Sequence, residues 1–258
     1  MLRAQRGLIR ALDLFTLLIG MNDGLQTDKL SVLEAAAKLL TFRLSRGEFL
    51  QLSYKHLAFG LLCTWVVGMG RWWDDPDASL LQRLGVGSLI YVFILAFILW
   101  LGTFLLRPKN WSYLHVLTFV SLTSPPAVLY AIPVEKFLSL GKANSANLLF
   151  LVVVASWRVA LLVHYLKRHA RLKPFAVAVS TMLPITGIVV VLTLLNLERA
   201  AFVSMGGFRG EPTAHDSAYN LLTFLTVLSI LLFMPLVVCY IFLVLKAETS
   251  VDEQEVSD

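Results

Sequence analysis

The chain has 258 residues, 57% of them apolar and only 15% charged, with a formal net charge of +5. A soluble domain carries about 45–50% apolar and about 25% charged residues, so an ordinary water-exposed globule and a disordered chain are both excluded. Two cysteines, Cys63 and Cys239, cannot make a disulfide scaffold, and continuous apolar runs rather than alternating strands exclude a membrane β-barrel. The composition points to an all-α, polytopic transmembrane helical bundle of about six spans, with amphipathic helices at its N-terminus.

Residues 1–55 form the first region. Its opening apolar run, Leu8 to Met21, is interrupted by Arg10 and Asp13 and lacks a following small-residue cleavage site, so no cleavable signal peptide is expected. Residues 7–21 and 30–50 read as two amphipathic helices separated by the turn signal Asn22-Asp23-Gly24. In the second, Leu30, Leu33, Ala37, Leu40 and Leu44 recur at helical spacing among Lys29, Lys38, Arg43 and Arg46. Such helices suit the headgroup layer, where basic residues meet anionic lipid; the alternatives are a cap on the bundle or a partner site.

A helix needs about 20 apolar residues to cross a hydrocarbon core about 30 Å thick. Within the second region, 56–246, six stretches qualify: roughly 57–73, 85–106, 112–132, 147–166, 174–197 and 220–246. The first is the weakest, being short and carrying Gly60, Gly68 and Gly70 before Arg71-Trp72-Trp73. With the N-terminus inside, lysines and arginines divide fifteen to six in favour of the inner side, which predicts two cytoplasmic termini. The acidic tail, 247–258, reads as solvated and disordered.

Arg158 is the costliest residue in the chain, since a central arginine costs on the order of 2.5–3.5 kcal/mol on insertion scales. The third stretch offers it Ser121, Thr123 and Ser124, followed by Pro125 and Pro126. Each proline frees a carbonyl four residues earlier, here those of Ser121 and Leu122. Arg158 is then either a repair to a broken helix or a binding group for an anionic headgroup or solute. Pro184, beside Ser180, Thr181 and Thr186, interrupts the fifth stretch, and Pro235 the sixth. Broken helices of this kind line the sites of secondary transporters. The candidate substrate or lipid site is therefore Arg158, Ser121, Thr123, Ser124, Pro125, Pro126, Thr181 and Pro184.

On the outer side, Asp74, Asp75 and Asp77 are candidates for a hard cation. The simpler alternative gives Trp72 and Trp73 to the membrane interface, Pro76 to a turn and an aspartate to a helix cap. No nucleophile elbow, metalloprotease motif, phosphate loop or C-x-x-C pair occurs, so no catalytic residue and no cofactor are expected. His115 and His164 fall near the inner ends of their stretches, where they can reach water or headgroups. The expected partners are membrane lipids and another membrane protein, without nucleic acid. Three functions compete: a non-enzymatic scaffold, assembly or trafficking component; a small-solute or lipid transporter using Arg158 and the broken spans; and an outer-face metal-dependent enzyme.

Overall fold

The computed structural model describes residues 30–69, 80–108, 111–197 and 217–255. The predicted helix at 7–21 and the Asp74, Asp75 and Asp77 loop lie outside them. The described residues are helices joined by short turns, with no strand among them.

The chain enters as a short hairpin, α1 (Val32–Leu40) and α2 (Arg46–Leu50). Ser31 caps α1 by accepting from the Glu34 amide. Ser45 and Glu48 form a reciprocal capping box on α2, which satisfies amides that a helix start otherwise leaves unbonded. Lys38 ties the two helices together, with Glu34 at 2.7 Å and Glu48 at 2.6 Å. The turn needs Phe42 at φ 62, a left-handed conformation that costs a non-glycine residue roughly 1–2 kcal/mol.

Then follow α3 (Tyr54–Met69), the single turn α4 (Leu80–Arg83) and α5 (Val86–Phe104). Next come α6 (Tyr113–Leu122), two 3-10 turns (Pro125–Ala131 and Val134–Lys136), α7 (Leu140–Arg168), α8 (Pro174–Leu194) and α9 (Ser217–Glu255). Four helical segments are long and apolar enough to cross a membrane: Val86–Phe104, Gly141–Arg168, Pro174–Leu194 and Asn220–Ala247. The protein is an integral membrane helical bundle. The first predicted stretch forms the 16-residue α3, and the third stops as a helix after ten residues, so the described residues do not reach six full-length spans.

The third stretch stops because of its prolines. Pro125 and Pro126 have no amide hydrogen to donate back into an α-helix, and the chain tightens instead into the 3-10 turn they begin. The short α6 sits at the centre of the bundle. Its seven residues from Val116 to Leu122 are all buried, as expected of a helix surrounded on every side. Around it pack α3 and α5, while α7 lies against the 3-10 segment and α8 pairs along its length with α9.

The fit of α3 depends on small residues. His56, Gly60, Thr64 and Gly68 are its buried positions, four apart and so on one face. A Cβ added at Gly60 would stand 2.9 Å from the Leu122 nitrogen and the Ser121 carbonyl carbon. At Gly68 it would meet Ser88 and the Gly85 Cα at 3.0 Å. Small residues at this spacing let membrane helices approach closely. The α9 helix continues through Glu255, into the tail expected to be disordered; no proline or glycine lies between Lys246 and Glu255 to stop it.

Candidate functional site: the broken helix and the hairpin pocket

At the end of α6 the polar side chains bond mainly to one another and to nearby backbone. Ser121 Oγ donates to the Thr118 carbonyl at 2.9 Å, and Thr123 Oγ1 to that of Val120 at 2.7 Å. Thr64 Oγ1 donates to the Gly60 carbonyl at 2.9 Å and shares a 2.6 Å hydrogen bond with Ser124 Oγ. Both hydroxyls are buried, so each satisfies the other where water does not.

Arg158 reaches this break from α7. Its Nε donates to the Thr123 carbonyl at 3.1 Å. The carbonyls expected to receive it were those of Ser121 and Leu122. The Ser121 carbonyl instead accepts from the Ser124 amide at 3.1 Å, because the chain closes a tight turn there rather than continuing with prolines inside an α-helix. The carbonyl presented to Arg158 is one residue further on, at the C-cap of α6. A cation there also opposes the negative end of the helix dipole.

Arg158 stands ten residues before the end of α7, and Pro184 ten residues after the start of α8. At 1.5 Å per residue both lie about 15 Å from the α7–α8 turn. Ser180 Oγ and Thr181 Oγ1, one turn from Pro184, are buried and make no hydrogen bond among the described residues. The structure therefore brings Arg158 together with Thr123, and Ser124 together with Thr64. No hydrogen bond joins the Thr181 hydroxyl to that group among the described residues.

A second cluster went unseen in the sequence. Phe49 of α2 inserts among side chains from α6 and α7, its ring centroid 4.5 Å from His169, 5.0 Å from Tyr165 and 5.6 Å from His115. Tyr165 in turn stacks on Phe119 at 4.2 Å. Nearer the hairpin turn, Phe42 meets His164 edge-on at 5.6 Å, and the Trp157 indole donates to the Leu40 carbonyl at 3.1 Å. The hairpin thus lies along α7 from His169 down to Trp157, the neighbour of Arg158. Its buried residues, Ala35, Ala36, Leu39, Leu44, Phe49 and Leu52, belong to the same core cluster as Val116, Leu122 and Leu166. His115 and His164, both half-buried, line this junction. The His115 Nδ1 is bonded to Ser112 Oγ at 2.8 Å, and His164 Nε2 is buried.

Electrostatics follow from burial. Lys38 and the capping serine both donate to Glu48 and hold its carboxyl down at about 2, while Glu34 and Glu48 raise the Lys38 ammonium. Burial, followed by His164, Arg46 and Arg168, pushes the His169 imidazole down from 6.5 to about 4. Burial lowers His56 as well. Released into water, His169 would titrate near 6.5. Between these values the docked state binds fewer protons than the opened one, so docking is strongest above about 6.5 and weakens as pH falls towards 4. Thermal melts in detergent should show a lower Tm at pH 5 than at pH 7, and His169→Phe should flatten that slope. An unchanged slope would remove His169 from the junction's energetics.

Comparisons with known proteins add no name to this arrangement: no family model, no curated protein and no solved structure matches the chain.

Proposed function

We propose that this multi-pass membrane protein is a non-enzymatic scaffold, assembly or trafficking component that engages lipid or another membrane protein through its hairpin-bearing end. That end is cytoplasmic on the distribution of basic residues, and both termini share its side. One observation carries the reading: the costly polar group inside α7 is committed to the bundle itself. Arg158 bonds the Thr123 carbonyl, and Ser121, Thr123, Ser124 and Thr64 find acceptors or partners within the protein.

If Arg158 repairs the broken helix, its removal is a stability defect. Arg158→Met strips a charged donor from a buried carbonyl and should cost on the order of 1.5–3 kcal/mol, read as a shifted midpoint in denaturant titrations in micelles. Arg158→Lys keeps a donor on a shorter reach and should lose less. Purification at native level should yield a stoichiometric protein partner or retained lipid. Uptake of a solute by reconstituted vesicles, abolished by Arg158→Lys in a protein that still folds normally, would overturn the reading.

Small-solute or lipid transport is the second reading, favoured by the bare hydroxyls of Ser180 and Thr181 next to Pro184. Pro184 also deprives the Ser180 carbonyl of its helical donor. Three oxygens then lie within one turn, the arrangement in which broken membrane helices hold substrates or ions.

A further inference from the structure

The hairpin meets the bundle with its charges unmatched. Arg46 lies one turn before Phe49 on α2, and so on the face that enters the pocket. Arg168 lies one turn after Tyr165 on α7, and the Phe49 and Tyr165 rings are 5.0 Å apart. Arg46, half-buried, and Arg168, exposed, are both near enough to act electrostatically on His169, whose ring is 4.5 Å from that of Phe49. The carboxylates described in the hairpin, Glu34 and Glu48, both bind Lys38. Among the described residues no acid pairs with Arg46 or Arg168. His169 itself is only 7% exposed, and its Nδ1 makes no hydrogen bond there. Lys167, Arg171 and Lys173 add charge of the same sign within four residues of it in the sequence.

Two arginines, with a buried ring nitrogen that donates in one of its two tautomers, form a set of donors without an acceptor. Each guanidinium fork takes two oxygens of an anion. A carboxylate is used up by one fork, whereas a phosphate group has oxygens for both and for an imidazole N–H. We propose that the junction between the hairpin and α7 binds a phosphate-ester anion through Arg46, Arg168 and His169, so that the ligand clasps the hairpin to the bundle. The proposal rests on the reading of this end as the lipid- or partner-engaging one, and it names the chemistry recognised. A lipid headgroup and a soluble phosphate compound both supply it.

The test is hydrogen exchange of residues 32–50 in the full-length chain, purified in a neutral detergent at fixed pH. The probes are phosphatidylglycerol, diacylglycerol of the same acyl chains, and inorganic phosphate. Phosphatidylglycerol should slow exchange about five-fold or more, the effect of roughly one well-placed charge contact. Arg46→Gln and Arg168→Gln should abolish the slowing, and Arg168→Lys should keep part of it. A response to phosphatidylglycerol alone assigns a lipid headgroup, and a response to inorganic phosphate as well assigns the free group. Equal slowing by diacylglycerol, or a full response in an Arg46→Gln protein whose unliganded melt is normal, overturns the site. A hairpin deaf to every probe overturns it too, while the co-purification result stands separately.

Discussion

Gly60→Ala should destabilise this protein by about 1–3 kcal/mol, the range for forcing extra methyl groups into a packed core. The sign is informative, because glycine to alanine inside a helix ordinarily stabilises by roughly 0.5–1 kcal/mol. Gly87, with nothing within 4 Å of its missing Cβ, should show that ordinary gain. Gly60 should not, because its Cβ would press on backbone atoms of Ser121 and Leu122 at 2.9 Å. Backbone cannot swing aside as a side chain can. Yielding would part α3 from α6 and break the Thr64–Ser124 hydrogen bond one turn away. Thermal melts of the two variants in one detergent check this: Tm should fall for Gly60→Ala and hold or rise for Gly87→Ala. Matching shifts would mean that α3 does not depend on close approach.

Phe49→Ala should loosen the hairpin. A buried phenylalanine cut to alanine costs about 3–5 kcal/mol, and Phe49 is 3% exposed. The polar hairpin contacts are weaker. The Lys38 ion pairs are solvent-exposed and contribute little, and the Trp157–Leu40 hydrogen bond contributes roughly 1 kcal/mol net. Leu39, Leu44 and Leu52 stay buried against the bundle, so the loss loosens α1 and α2 without freeing them. Exchange protection should fall across residues 32–50 while α5, α7 and α8 keep theirs. Uniform loss across the chain would show instead that hairpin and bundle unfold as one unit. Phe49→Leu, which keeps most of the apolar volume, should retain docking.

These two residues also mark where the sequence was silent. The helices α5, α7, α8 and α9 were legible because a membrane span is announced by composition over about 20 residues, with no need to know its neighbours. The break in α6 was legible in Pro125-Pro126, since proline acts locally. Which carbonyl Arg158 takes was not, because that depends on how the chain tightens past the break. Gly60 and Gly68 read as weakness in a marginal span. The four-residue period from His56 to Gly68 was the available signal that they form a packing face. Nothing in the local pattern foretold Phe49 among His115, Tyr165 and His169, whose meeting depends on segments 66 to 120 residues apart.

The shortness of α6 bears on the order in which the chain is assembled. Ten residues of helix extend about 15 Å, half of the hydrocarbon core, and the 3-10 turns after it leave backbone groups that lipid cannot satisfy. Such a segment is not stable in a bilayer by itself, even though it lies between two others in the chain. Its seat, made by Gly60 and Thr64 on one side and Arg158 on the other, is complete only after α7 has been synthesised. Residues 113–136 are thus threaded early and settled late. During synthesis, the centre of the finished bundle is the part that must wait for its surroundings.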